Sequence, residues 1–200
     1  MYFDEAPKCS RHDFYNFDRE LKLLMDSIRQ GTRLIVVKGL RRTGKTSLVL
    51  TALSELHYPY LLLDARLFSA APTVPRAELL RALERGLNEF LLREKFGKRI
   101  LNLFRGVRGI EVEFPPPRVR IAWEPRHGTD PLDVITRLTE LAQQRQRRLI
   151  LVLDEAHELR RISGYNFVSL MAHLYDYVRG VQLVVTGSQV GVLDDFMGAE

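Results

Sequence analysis

Residues 33–50 read RLIVVKGLRRTGKTSLVL. The segment opens with LIVV, an apolar run of the kind carried by a strand that is covered on both faces. A loop follows in which Gly39, four residues, and then Gly44, Lys45 and Thr46 stand in order. After it, KTSLVLTALSEL spaces Leu48, Ala52, Leu53 and Leu56 on one side of a helix. Strand, glycine-bounded loop and helix form the context in which this spacing builds a phosphate cradle. The glycines let successive backbone N–H groups turn inward around an anion. The helix start adds its positive end, and Lys45 supplies a mobile point charge for the β and γ phosphates. The Thr46 hydroxyl is an oxygen ligand suited to Mg2+. The candidate nucleotide loop is therefore Gly39, Leu40, Arg41, Arg42, Thr43, Gly44, Lys45, Thr46 and Ser47. Because such a cradle works through backbone N–H groups, Arg41 and Arg42 are expected to point out of it, toward the nucleotide's outer face, a lid or a partner.

Outward from this segment, strands alternate with helices. FDRELKLLMDSIRQ (17–30) predicts a helix with Leu21, Leu24, Met25 and Ile28 on one face, ended by Gly31. YPYLLLD (58–64) predicts a second buried strand, and residues 75–96 a long helix with Leu79, Leu83, Leu87 and Phe90 in line. Residues 130–148 predict another helix, with Asp130 as cap and Pro131 at its first position. LILVLDEAHEL is a third buried strand running into a polar turn. NFVSLMAHLYDYVRG is a helix stopped at Gly180, and VQLVVTGS is a fourth strand. This alternation predicts an α/β fold, a mostly parallel sheet between two layers of helices.

One insertion breaks the pattern. RGIEVEFPPPRVRIAW (108–123) alternates with period two around three prolines and predicts a β-hairpin with a loop from Phe114 to Pro117. That loop sets Glu113 opposite Arg118 and Glu111 opposite Arg120, with Val112 opposite Val119 and Ile110 opposite Ile121. Charges pair on one face and apolar groups on the other, and only this register satisfies both. The hairpin is expected to cover a sheet edge, with Trp123 anchoring its apolar face.

Composition sets the outer bounds. Two hundred residues, 46% hydrophobic and 28% charged, form one ordinary domain spanning 1–200. The longest apolar runs are far short of the ~18 residues that a membrane helix needs, so no membrane partner is expected. A single cysteine, Cys9, excludes an internal disulfide and a cysteine metal cluster. His12, His57, His127 and His173 have no metal-ligand spacing. The cytoplasm is the simplest compartment. The net charge of +5 is compatible with DNA, but the basic residues are interleaved with acids and read as a solvated surface.

A second feature narrows the chemistry. Asp154 and Glu155 end a buried strand, at the sheet edge where ligands of open α/β sheets sit. Asp154 is suited to hold the Mg2+ shell, and Glu155 to orient and polarise an attacking water. His157 reads as a loop or packing histidine. Thr186 and Ser188 end the next strand. Their chemistry alone leaves two roles open, contact with the γ-phosphate or attacking water, or a plain strand-to-loop turn.

With these residues in hand, the chain resembles the additional-strand class of P-loop ATPases. Within it, the chain is most similar to the archaeal-type ATPase family, on the branch shared with STAND signalling ATPases and near the origin-recognition/Cdc6 AAA+ proteins. FYNFDRELKLL, GLRRTGKTSL, LVLDEAHEL and VVTGS carry the likeness, in order. The resemblance implies ATP or ADP with Mg2+ as ligands, Phe17 and Arg19 near the adenine, and Thr186 and Ser188 as a sensor strand. Lys45, Glu155, Thr186 and Ser188 become the candidate catalytic residues, and Thr46 and Asp154 the candidate metal ligands. It also implies segments after residue 200: a fifth strand beside the first, a helical lid and often a winged helix. Without that strand LIVV is an apolar sheet edge, so a partial chain is expected. Leu40 stands where the family often has proline. DEAH also spells a helicase box, but the chain is short for two motor cores, and TGS stands where those helicases carry Ser-Ala-Thr. Two functions fit: an ATPase coupling hydrolysis to remodelling of a protein or DNA partner, or a slow nucleotide-gated switch acting through assembly. Glu155 favours the first.

Overall fold

The computed structural model describes residues 7–10, 16–95, 99–105, 107, 109–121 and 129–188. Its elements run α1 (Asp18–Gln30), β1 (Leu34–Lys38), α2 (Lys45–Leu56), β2 (Tyr60–Asp64), β3 (Val74–Pro75), α3 (Arg76–Glu94), α4 (Arg99–Leu103), β4 (Ile110–Glu113), β5 (Arg118–Ile121), α5 (Pro131–Gln143), β6 (Leu149–Asp154), β7 (Ile162–Ser163), α6 (Phe167–Tyr177) and β8 (Val181–Gly187). Short 3-10 turns follow β2 at Ala65–Phe68 and β6 at Ala156–Arg161.

Four strands form a parallel sheet in the order β1-β8-β6-β2. The two inner strands are buried along their whole length, which explains their unbroken apolar runs. β8 is inserted between β1 and the acidic strand β6, as the additional-strand class requires. Alternate residues serve the two faces. Ile150, Val152 and Val184 pack with Leu21, Leu24 and Ile28 of α1 and Leu48, Val49 and Leu53 of α2. Leu149, Leu151, Leu153, Leu183 and Val185 pack with α3, α5 and α6 on the other face. The result is the predicted three-layer α/β sandwich.

Local chemistry sets the helix ends. α1 stops because Gly31 adopts φ +80 and returns its N–H to the carbonyls of Ile28 and Ser27. The Asp130 carboxylate accepts from Leu132 N at 3.0 Å to start α5, with Pro131 next. α5 ends at Gln143, not at residue 148, because Gln144 to Gln146 turn away and Gln146 takes φ +56. α6 ends at Tyr177, ahead of Gly180, and α3 spans 76–94 within the predicted 75–96. α3 lies so close to β2 that a Cβ on Gly86 would stand 2.3 Å from the Leu62 carbonyl oxygen.

The hairpin register is as predicted: Ile110 opposite Ile121, Glu111 opposite Arg120, Val112 opposite Val119, Glu113 opposite Arg118. Its place differs from the expectation. β4 and β5 form a separate two-stranded sheet that docks on α3 instead of covering an edge of the main sheet. Asn88 donates to Val119 O at 2.8 Å and accepts from Val119 N at 2.7 Å, and Glu84 accepts from Ile121 N at 2.8 Å. Three backbone groups of β5 thus find partners on one helix. Trp123 and Arg108 lie outside the described residues. At the far side of the sheet β1 bonds only to β8 among the described strands, and Leu34 to Val37 are half-buried.

Candidate nucleotide site

β1, β6 and β8 end side by side, so the loop after β1 faces the residues that end the other two. Gly39 N donates to Gly187 O at 3.3 Å, which ties the loop's entry to β8. Gly44 takes φ +86, a left-handed conformation that favours glycine, directly before α2. A Cβ on Gly39 would crowd Thr43 Oγ1 at 3.2 Å and lie in ordinary contact with Lys45 Cδ at 3.6 Å. Lys45 is 7% exposed. Its ammonium donates to the carbonyls of Gly39 (3.1 Å) and Leu40 (2.8 Å) and lies 3.4 Å from Glu155 Oε1.

The two acids sit across from the loop. Thr46 Oγ1 lies 2.9 Å from both carboxylate oxygens of Asp154, and Thr186 Oγ1 donates to Asp154 Oδ1 at 2.6 Å. Burial pushes the Asp154 carboxyl above its ordinary range, against the hydrogen bonds from Thr186 and Thr46 and the charge of Arg66. Glu155 adopts φ +51, a left-handed conformation unusual for a residue with a side chain. Its backbone N–H is held by Thr186 Oγ1 at 3.1 Å, and its Oε2 accepts from Ser188 N (3.0 Å) and Ser188 Oγ (2.8 Å). Burial raises the Glu155 carboxyl, but the Ser188 hydrogen bonds and the Lys45 charge outweigh it and hold it below the ordinary value.

These groups border a cleft of about 700 Å³ lined by Pro7, Lys8, Arg41 to Ser47, Arg66 and Glu155. Arg41 and Arg42 are exposed and line this cleft, and Arg42 takes φ +62. Thr186 departs from expectation: it is fully buried, and its hydroxyl is spent on Asp154 and on Glu155 N. It positions the acids and does not line the cleft. Ser188 likewise holds Glu155. Phe17 and Arg19 are not among the lining residues; Phe17 precedes α1 and packs beside the α1–α2 cluster, while Arg19 is exposed.

Two contributors escaped the sequence. Lys8 N donates to Ser47 Oγ at 3.0 Å, which brings the Pro7–Lys8 segment to the cleft. Asp64 at the end of β2 stands level with Asp154 in the register, and two residues later Arg66 reaches both acids. His157 reads from the sequence as a loop or packing histidine. His157 is buried, with Nδ1 3.5 Å from Glu155 Oε2 and Nε2 3.4 Å from Glu158 Oε1, and neither nitrogen makes a hydrogen bond. It is a packing histidine set between two acids.

The donor set fits Mg2+ and a triphosphate. A hydroxyl and a carboxylate already in contact offer two hard oxygen ligands, and Mg2+ keeps its remaining positions for water and phosphate. No group of three or more His, Cys, Asp or Glu suited to hold a metal occurs among the described residues.

Sheet order, glycine-bounded loop and acid-ended strand together define a P-loop nucleoside triphosphatase fold of the additional-strand type. The chain belongs to the AAA ATPase domain family, whose model matches residues 18–184. It is similar to the Walker-type ATPase PABY2304 of Pyrococcus abyssi, with 28% identity and a TM-score of 0.72 over 99% of this chain and 52% of that one. Its fold is also that of Cdc6p from Pyrobaculum aerophilum (16% identity, TM-score 0.53, covering 99% of this chain and 46% of that one). The ORC2 protein of Aeropyrum pernix, solved as ADPNP–ADP complexes, matches likewise (15% identity, TM-score 0.56, covering 100% and 47%). The chain spans about half the length of these structures. Among curated proteins no match is found. Among the described residues no helix is long and apolar enough to cross a membrane.

Proposed function

We propose that the chain binds Mg-ATP in this cleft and hydrolyses it, coupling the cycle to remodelling of a protein or DNA partner. The observation that carries the reading is the meeting of loop and acids: Lys45 with Glu155, and Thr46 with Asp154. Lys45 exchanges the carbonyls of Gly39 and Leu40 for phosphate oxygens, a stronger charge-assisted bond. Thr46 and Asp154 would hold Mg2+, which when bound neutralises phosphate charge. Glu155, freed of the lysine, orients and polarises the attacking water, with Ser188 fixing one of its oxygens.

A second reading, a nucleotide-gated switch with slow turnover, is favoured by one observation. Both Glu155 oxygens are engaged in the site, so the glutamate must be released before it can act. Steady-state phosphate release separates the two. The ATPase reading expects sustained turnover that Glu155→Gln abolishes while ATP binding persists. Hydrolysis below about once per hour, against the ~10 s⁻¹ of a median enzyme, and indifferent to Glu155→Gln would leave the switch. If DNA is the partner, its binding weakens steeply as salt rises.

A further inference from the structure

Arg66 belongs to no part of the motif pattern, yet it lines the cleft with Lys45, Thr46 and Glu155. It stands in the 3-10 turn that follows β2, and the β2–β6 pairing sets Asp64 level with Asp154. Asp64 fixes it twice. The carboxylate accepts from Arg66 N at 3.0 Å, which shapes the turn, and from Nε (2.8 Å) and Nη2 (2.6 Å), which grip the guanidinium edge-on. Nε also lies 3.4 Å from Asp154 Oδ2. The grip uses Nε and Nη2 and leaves Nη1 outside it, on a side chain that is 47% exposed.

A fork held along one edge has already given up most of its rotamer freedom, so presenting the other edge to an anion costs little further ordering. Arg41 and Arg42 lack such a grip among the contacts described. We propose that Arg66 is an in-chain arginine for the outer phosphate of the bound nucleotide, with Asp64 as the residue that aims it. The proposal rests on the reading of the cleft as an ATP site. Lys45 and Arg66 both line that cleft, one rooted in the loop after β1 and the other in the turn after β2. An anion bound there meets a cation from each side of the acidic strand, and the guanidinium favours the form that carries the extra phosphate.

The bland alternative is that Arg66 only neutralises Asp64 and Asp154. Two measurements divide them. The affinities of the 200-residue chain for ADP and for ADPNP, the imido analogue of ATP, are compared by calorimetry in wild type and Arg66→Ala. The proposal expects the ADP affinity to stay within about twofold and the ADPNP affinity to fall about tenfold or more, the ~1.4 kcal/mol of one lost charge-assisted contact. The double variant Asp64→Asn/Arg66→Gln then removes both partners of the ion pair. Neutralisation alone predicts that it regains wild-type ADPNP affinity, whereas a phosphate role leaves it as weak as Arg66→Gln. Equal loss for both nucleotides, no loss for either, or recovery in the double variant overturns the proposal. If wild type binds neither nucleotide, the ATP-site reading itself fails, an outcome distinct from the other three.

Discussion

Replacing Thr186 by valine removes one hydroxyl and leaves the shape of the side chain almost unchanged. The residue is fully buried, so water cannot take over the lost bonds. Its hydroxyl donates to Asp154 Oδ1 at 2.6 Å and accepts from Glu155 N at 3.1 Å. Loss of a hydrogen bond to a charged acceptor costs ~1.5–3 kcal/mol, and orphaning a buried N–H costs ~1–3 kcal/mol. Asp154 keeps Thr46 and Arg66, which blunts the first loss. A total of about 3 kcal/mol follows, a large share of a stability that is typically ~5–15 kcal/mol. At ~2–4 °C per kcal/mol for a chain of this size, the melting temperature should fall by roughly 6–12 °C. Urea unfolding followed by circular dichroism measures the first quantity, and a thermal melt the second. Thr186→Ser is the control: it keeps the hydroxyl and loses one methyl, at about 1 kcal/mol. The left-handed Glu155 loses the bond that holds its backbone only in the valine variant, so turnover should fall further there than in the serine variant. A valine variant within about 0.5 kcal/mol of wild type, or serine and valine equally damaging, would refute the positioning role.

Three other perturbations test neighbouring parts of the account. Gly86→Ala gains helix propensity but drives its Cβ into the Leu62 carbonyl, so a net loss of about 2 kcal/mol in urea unfolding is expected; a neutral or stabilised variant would contradict the close packing of α3 on β2. Asn88→Ala orphans the buried Val119 amide and carbonyl and should cost about 2–3 kcal/mol, with nucleotide affinity changed less than about twofold. Tyr165 donates to Asp130 Oδ1 at 3.0 Å, and burial first, with the Asp130 charge second, raises its pKa. A raised pKa means stability that is full below the unfolded value of about 10 and lost as pH climbs above it. The wild-type advantage over Tyr165→Phe should therefore hold steady to about pH 9 and shrink at higher pH, as read by denaturant titration.

The phosphate loop was legible because its chemistry is local: glycines, lysine and threonine lie within eight residues and need only a strand before and a helix after. The hairpin register was legible because four residue pairs had to satisfy two faces at once. Its docking site was not, since an asparagine bonding another segment's backbone, as Asn88 does at Val119, leaves no periodic mark. Arg66 was hidden for a related reason. Its role depends on Asp64 standing level with Asp154, a relation fixed only when β2 pairs with β6. The sequence placed Thr186 at the right strand end but could not tell an inward hydroxyl from one facing the cleft. The residue belongs to a strand buried along its length, and its hydroxyl was claimed by the acids next to it. Phe17 and Arg19 came from resemblance alone, and no local geometry tied them to the cleft.

Calorimetric titration of the chain with Mg-ATP, beside Lys45→Ala, tests the central claim most directly. The wild type should bind one nucleotide per chain, and the variant should bind at least ~100-fold more weakly, the ~2.7 kcal/mol expected for loss of a buried, charge-assisted phosphate contact. Equal affinity in the two proteins, or no binding in either, would contradict the assignment of the Gly39–Ser47 loop as the phosphate cradle.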